Sequence, residues 1–187
     1  MRLFFMVLVL FMPAAAAIAA ANDAALSYDT FFKKAADGKP CYGRSYDAGH
    51  LSKHPEQNVQ SIELDTAKVK TNGEANTAEG FEIGFAFKLK SSPEWYGQAG
   101  ICKSDGAGFK CSLEGDGGEF KLSPEGAASL KLEVGNYGIA LEGNDGFAKL
   151  EAQSGDDKVF ILDQGAQGCQ EAASYFHSAR PSMPSSN

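Results

Sequence analysis

The sequence has no apolar run of membrane length and no excess of basic residues. A bilayer-spanning helix needs roughly 20 apolar residues, whereas the run LFFMVLVLFM ends at Met12, just before Pro13. The 187-residue chain carries 17 basic against 24 acidic side chains, a formal net charge of −7. A surface of this sign repels nucleic acid and anionic lipid at long range. We therefore expect neither a nucleic-acid partner nor insertion into a membrane.

The chain also lacks the motifs of common enzyme classes. It contains no GxSxG nucleophile elbow, no Walker phosphate loop and no Rossmann glycine fingerprint. The acidic turns around Asp105, Asp116 and Asp145 do not follow the calcium-loop pattern D-x-[DN]-x-[DN]-G. The sequence therefore predicts a binding protein without catalytic residues and without a cofactor.

The N-terminus has the organisation of an export signal. Arg2 precedes the apolar run, and an alanine-rich stretch with small-residue sites such as Ala19-Ala20-Ala21 follows it. This pattern predicts that residues 1–21 are a removed signal peptide and that the protein is periplasmic or secreted. Residues 22–179 are then long enough for one β-rich domain with a single core. The end of the chain, residues 180–187 (RPSMPSSN), is predicted to be a disordered tail.

Cysteine usage predicts two disulfide bonds, because an even number of cysteines in an exported chain is typical of a disulfide framework. The four cysteines are Cys41, Cys102, Cys111 and Cys169. Cys102 and Cys111 lie symmetrically about Gly106-Ala107, a two-residue hairpin loop, which places them opposite each other at a pair of closely approaching residues. This pairing is the favoured one, and it leaves Cys41 to join Cys169.

Alternation of apolar and polar residues predicts an all-β fold. In GFEIGFAFKLK the apolar residues at 81, 83, 85, 87 and 89 occupy one face of a strand. About nine such runs, from SIELDTAKV to KVFILD, are separated by turns rich in glycine and aspartate. They predict a single antiparallel meander of about 8–9 strands that forms a barrel or a sandwich. Short helices are predicted near each end, in residues 25–38 and 168–179.

Two ten-residue segments also resemble each other. LEGDGGEFKL at 113–122 and LEGNDGFAKL at 141–150 share leucine, glutamate, glycine, lysine and leucine in the same register, 28 residues apart. They are either two copies of a hairpin unit, as expected of a closed meander, or independent examples of generic strand–turn–strand composition.

The stretch CYGRSYDAGHLSKHPEQ, from Cys41 to Gln57, concentrates the polar candidates for a binding site. Two interpretations compete: a polar framework held by Cys41, in which Asp47 caps a helix or pairs with Arg44, or a recognition surface. We favour the framework and retain as candidate binding residues the polar members of this stretch and an aromatic pair that follows a later polar turn. They are Arg44, Tyr46, Asp47, His50, His54, Trp95 and Tyr96.

The alternative function is a metal-dependent enzyme. His50 and His54 are four residues apart, so on a helix both imidazoles would share one face with Asp47 nearby. Against this, Gly49 and the position of His54 before a proline disfavour a helix, and no third strong ligand is evident. We therefore prefer a non-catalytic protein that binds an unknown small molecule or envelope protein.

The same stretch, followed by a β-rich half and a late cysteine, resembles small uncharacterised exported proteins of proteobacteria with the pattern CYxRxYDxxHLxxHPxQ. The resemblance extends over about Cys41 to Cys169. It implies a periplasmic protein with one domain, and it supplies no activity and no catalytic residue.

Overall fold

A computed structural model describes residues 27–33, 41–66, 70, 72–143, 146–151, 155–165 and 169–177. A helical turn, Asp29–Lys33, precedes the sheet. The strands are β1 (Cys41–Ser45), β2 (Val59–Thr66), β3 (Phe81–Leu89), β4 (Trp95–Asp105), β5 (Gly108–Leu113), β6 (Gly118–Pro124), β7 (Ser129–Gly143), β8 (Gly146–Leu150) and β9 (Val159–Gln164). Two helices complete the described chain, α1 (Ala48–Lys53) and α2 (Gln170–His177). The predicted signal peptide and the predicted tail lie outside these residues.

Eight of the nine strands close into an antiparallel barrel. The strand order is β6-β5-β4-β3-β2-β1-β9-β7-β8, and β6 also pairs with β7, which completes the ring. The first part of β7 lies between β6 and β9, whereas its last residues pair with β8 as a hairpin. The predicted all-β antiparallel fold is therefore confirmed, and the barrel is the form it takes.

The strand boundaries differ from the sequence prediction at two places. The segment Cys41–Ser45 forms β1, which its composition did not indicate, because its five residues show no alternation of apolar and polar side chains. Two of the roughly nine runs predicted as separate strands, ASLKLEV and YGIALEG, are continuous in β7. The two similar ten-residue segments each contain a strand–turn–strand unit, β5–β6 and β7–β8, which agrees with both explanations of their similarity.

Aromatic side chains fill the interior of the barrel. The alternate residues of β3 predicted to share a face do point inward, and Phe85 lies 5.0 Å between ring centroids from Phe120 on the other side of the barrel. The largest fully buried side chains include Tyr42, Phe81, Phe85, Phe87, Phe109, Phe120 and Phe160. Burial of so many large rings supplies the main stabilisation of the domain.

The end of the barrel near the start of β3 is covered by the N-terminal helical turn. Phe31 and Phe32 from this turn are buried, and the Phe32 ring lies 4.6 Å between centroids from Phe81. The hydroxyl of Tyr42 donates a hydrogen bond of 2.6 Å to the carbonyl of Phe31. Burial raises the pKa of Tyr42, so this hydroxyl remains protonated and keeps its role as donor.

Both predicted disulfides are present. Cys102 and Cys111 are paired opposite each other on β4 and β5, with Cα atoms 3.9 Å apart, and the hairpin closes at Asp105 and Gly108 as the loop predicted. The Cys41–Cys169 bond joins residues 128 positions apart. It fastens the start of β1 to the segment that leads into α2. In the described part of the chain every cysteine is bonded.

Helix α2 packs on the outside of the barrel, over β2, β3 and β4. Small residues permit this close approach: Ala86 is buried beneath the helix, and a Cβ atom added at Gly97 would overlap the ring of Tyr175. Trp95 packs against the same cluster. Among the described residues, no helix combines the length and the apolarity that crossing a bilayer requires.

The first turn of α2 rests on a buried carboxylate. Glu63 on β2 is 7% exposed, and it accepts hydrogen bonds from the backbone N–H groups of Glu171 (3.1 Å) and Ala172 (3.3 Å). Burial raises the pKa of Glu63, these two backbone donors lower it, and the nearby carboxylates of Glu171 and Asp65 raise it further. The net direction is upward, because removal from water penalises the charged form most.

Replacement of this residue should change how stability depends on pH. Because the pKa of Glu63 is higher in the folded protein, the folded state holds this proton more tightly than the unfolded chain does. Its contribution to the free energy of unfolding is therefore greatest below the ordinary glutamate pKa and is lost as pH rises through the raised value. We therefore expect the free energy of unfolding of Glu63→Gln, relative to that of wild type, to increase from about pH 4 to neutral pH. Urea unfolding at these two pH values measures the change.

The matched control is Glu142→Gln on β7, where the side chain is exposed. We expect its stability difference from wild type to be nearly the same at both pH values. A Glu63→Gln variant whose difference from wild type did not change with pH would contradict the role given to burial of this carboxylate.

Candidate functional site

The polar stretch between Cys41 and Gln57 folds as a strand, a helix and a turn. Asp47 is the N-cap of α1, and its carboxylate accepts a 2.7 Å hydrogen bond from the backbone N–H of His50. The helix forms in spite of Gly49, because this cap satisfies a free N–H group of the first turn. It ends at Lys53, immediately before the pair His54-Pro55, as the restriction on a residue preceding proline predicts.

Four of the predicted binding residues form one continuous stack. The guanidinium of Arg44 lies 5.8 Å from the centroid of the Tyr46 ring, and that ring lies 4.6 Å between centroids from His50. His50 and His54 are stacked at 4.4 Å with an interplanar angle of 17°. The two imidazoles therefore lie on the same side, as their spacing on a helix would require, although α1 ends at Lys53 and His54 is its C-cap.

The polar groups of this stack are bonded within the protein. Arg44 forms a 2.7 Å ion pair with Asp163 of β9, and His54 Nδ1 lies 3.5 Å from a carboxylate oxygen of Asp156. His50 Nε2 lies 3.0 Å from the amide oxygen of Gln57. Since the Gln57 amide nitrogen donates to a backbone carbonyl, its oxygen is the acceptor, and the hydrogen is on His50 Nε2.

These contacts leave the three proposed metal ligands in separate roles. The Asp47 carboxylate caps the helix, whereas the two imidazoles face each other as a stack rather than converging on a point. In the ranges that the structure describes, no group of three or more His, Cys, Asp or Glu side chains is arranged to hold a metal ion. The metal-dependent enzyme therefore gains no support from the geometry.

Trp95 and Tyr96 point to opposite sides of β4. Tyr96 is buried in the barrel interior, stacked on Phe87 at 5.8 Å between ring centroids, and its hydroxyl lies 3.3 Å from Ser92 Oγ. Trp95 faces outward and packs beside α2. The pair therefore does not form a single aromatic wall.

The two predicted regions do meet at one end of the barrel. The turn between β3 and β4 lies against the segment that leads into β2: Lys90 Nζ donates a 2.8 Å hydrogen bond to the carbonyl of Pro55, and the Lys90 N–H bonds to the carbonyl of Asn58. From the other side, the carboxylate of Asp157 accepts the N–H groups of Asn58 (2.7 Å) and Val59 (3.1 Å). These bonds make the region a rigid corner.

A concave surface occurs elsewhere, on the outer face of the barrel. A groove of about 550 Å³ follows β4 between β3 and β5, and Tyr175 of α2 lines one end. Its centre is Ile101, which is 47% exposed and is flanked in register by Glu82 on β3 and Ser112 on β5. Burial and the Glu171 carboxylate raise the pKa of Tyr175, which keeps its hydroxyl protonated and able to donate a hydrogen bond.

The charged residues of the groove come from neighbouring strands. Lys103 on β4 lies directly opposite Lys110 on β5. Glu114 lies at the other end, where its backbone N–H bonds to the carbonyl of Ala99. Lys103 and Lys110 therefore lie at one end of the groove together with Asp105, and Glu114 lies at the other, with Ile101 between them opposite Glu82.

The sequence prediction did not find this groove. Its side chains come from residues 82 to 175, and only pairing of three strands and packing of α2 bring them together. One signal was present: the outward positions of β3 and β4 include Gly84, Ala86, Gly97 and Ala99, and such small residues on a strand surface indicate that another element packs there.

Comparison of the chain with protein-family models, with curated proteins and with solved structures found no match.

Proposed function

We propose that the protein is an exported, non-catalytic binding protein of the bacterial envelope that takes a small molecule on the outer face of its barrel, in the groove along β4. The observation that carries this proposal is the contrast between a barrel interior filled by large aromatic side chains and an open groove outside it. A barrel that binds its ligand inside must leave space there. Here the concave, partly apolar surface is external.

The composition of the groove suits a small ligand. Its volume lies within the range typical of small-molecule sites, and it combines an exposed isoleucine with hydroxyl and charged groups at its margins. An exposed apolar side chain in a concavity gains more from contact with a ligand than one on a convex surface, because more of its area leaves water. Ile101 is therefore the proposed central contact.

The hydrogen bonds and ion pairs of the stretch from Cys41 to Gln57 support its assignment as a structural framework. Arg44, Asp47, His50 and His54 each have a partner within the protein, so a ligand would have to displace these contacts to bind them. Export is supported by the two disulfides, which are typical of extracellular and periplasmic proteins.

The apolar fluorescent anion 8-anilinonaphthalene-1-sulfonate is a probe of the groove. We expect it to bind saturably at one site, with its ring system on Ile101 and its sulfonate near Lys103. Ile101→Glu should weaken binding about tenfold, because it places a charge at the apolar centre. Fluorescence titration measures this, and circular dichroism checks that the variant is folded.

The chain provides a matched control in Ile161 on β9, which is 37% exposed and outside the groove. Ile161→Glu should leave the affinity within about twofold of wild type. If Ile101→Glu fails to fold, Ser112→Tyr, which fills the groove at the position opposite Ile101, replaces it with the same expectation. Equal loss in the Ile161 variant, or no saturable binding by wild type, would overturn the proposed site.

A further inference from the structure

The charges that line the groove differ in whether they are already neutralised. Lys110 forms a 2.7 Å ion pair with Glu119, and Asp105 accepts a 2.9 Å ion pair from Lys121. Both partners lie on β6, beside the groove. These two pairs balance the charges at the margin and hold the long side chains of Lys110 and Lys121 in place.

Two lining charges have no such partner among the described residues. Lys103 is exposed and lies opposite Lys110, a like charge, in the β4–β5 register. The ion pair of Lys110 with Glu119 offsets part of this repulsion but supplies no partner for Lys103 itself. Glu114 is also exposed, and its bonds to the part of the chain that the structure describes are made by its backbone groups. An ammonium group near Glu114 and a carboxylate near Lys103 would each supply an ion pair that the described residues do not.

The separation of these two charges defines the size of the ligand. Glu114 bonds through its N–H to the carbonyl of Ala99, and Lys103 is four residues further along β4. At the rise of an extended strand this places the two ends about 13 Å apart. Ile101 lies midway and is the apolar contact between them.

We propose that the groove binds a short peptide of about three residues with both termini free. Its ammonium group would lie towards Glu114, its carboxylate towards Lys103, and its apolar central side chain on Ile101. This ligand class rests on the proposed function, since it occupies the same groove. An anionic amphiphile such as the sulfonate probe can use Ile101 and Lys103 but leaves Glu114 without a partner, so it is a probe of the groove and not the ligand class we propose.

The test uses the tripeptide Ala-Leu-Ala with four forms of its ends: free, N-acetylated, C-amidated and blocked at both. Isothermal titration calorimetry on the intact protein measures the affinity. We expect free Ala-Leu-Ala to bind, with each single block weakening it about fivefold, the size of one exposed ion pair. The doubly blocked peptide should bind most weakly.

Variants assign each end of the peptide to its residue. In Glu114→Gln, acetylation of the amine should no longer weaken binding, whereas amidation still should. In Lys103→Gln the pattern should be reversed. Lys149→Gln on β8, outside the groove, removes the same charge from the protein and should bind all four peptides as wild type does.

The outcomes separate this inference from the proposed function. If the sulfonate probe binds in an Ile101-dependent manner but no form of the tripeptide binds or displaces it, the groove is a site and the peptide class is wrong. If the blocked and free peptides bind equally, the charged ends are not recognised, and the inference is likewise overturned. Loss of both probe and peptide binding would overturn the proposed function itself.

Discussion

Replacement of both Cys41 and Cys169 by serine is expected to lower the free energy of unfolding by about 5 kcal/mol. The bond closes a loop of 128 residues, so in the unfolded chain it restricts almost the whole domain. In the folded protein it fastens α2 against the buried carboxylate of Glu63 and the surface of β3 and β4. Loss of the bond therefore lowers the stability of the barrel by increasing the entropy of the unfolded chain. It also removes the covalent attachment of α2 to β1.

Urea unfolding of the oxidised wild type and of the double variant measures this difference. The matched control is Cys102→Ala with Cys111→Ala, which removes a bond that closes only nine residues within one hairpin. On the same model its loss is about 3 kcal/mol. If the two double variants lost equal stability, or if the 102–111 pair mattered more, the attribution to loop length would be wrong.

Truncation of a single interior ring is the second large effect. Phe85→Ala is expected to lower the free energy of unfolding by about 3–5 kcal/mol, because Phe85 is fully buried and its removal leaves a cavity beside Phe87 and Phe120. The barrel limits relaxation around that cavity, since the surrounding strands are paired on both sides. Chemical denaturation followed by circular dichroism gives the value.

The control is the same substitution at an exposed phenylalanine. Phe147 on β8 is 78% exposed, so Phe147→Ala should change the free energy of unfolding by no more than about 0.5 kcal/mol. A loss above 2 kcal/mol at Phe147 would show that this ring is covered in solution. A loss below 1 kcal/mol at Phe85 would contradict the filled interior on which the external site depends.

The sequence pattern was sufficient to predict those structural features that depend only on residues close together in the chain. Alternation of apolar and polar residues in β3 identified which side chains point into the barrel, because successive side chains of a strand alternate in direction in any fold. The position of Gly106-Ala107 identified the register of β4 and β5, and with it the Cys102–Cys111 bond. Strand β1 was missed because its five residues contain too little alternation to distinguish it from a loop.

The polar stretch shows where composition alone is insufficient. Five polar or aromatic candidates close together in sequence can form a binding surface or a framework bonded within the protein, and the difference depends on Asp156, Asp163 and Gln57. Two of these partners come from the far end of the chain. No spacing rule relates residue 44 to residue 163, so only the closure of β1 against β9 reveals that the charges are paired.

The sequence by itself determined three features of this protein. The periodicity of apolar residues gave the all-β class, and the short turns gave the antiparallel connection of most strands. The even number of cysteines and the symmetric positions of two of them about a hairpin loop gave the disulfide pairing. Only the tertiary structure decided that the sheet closes with β9 between β1 and β7, that the interior is full, and that α2 and β3–β5 form a groove. The groove is formed by segments that are distant in the sequence. Whether each of its charged side chains has an ion-pair partner depends on which strands and helices lie beside it.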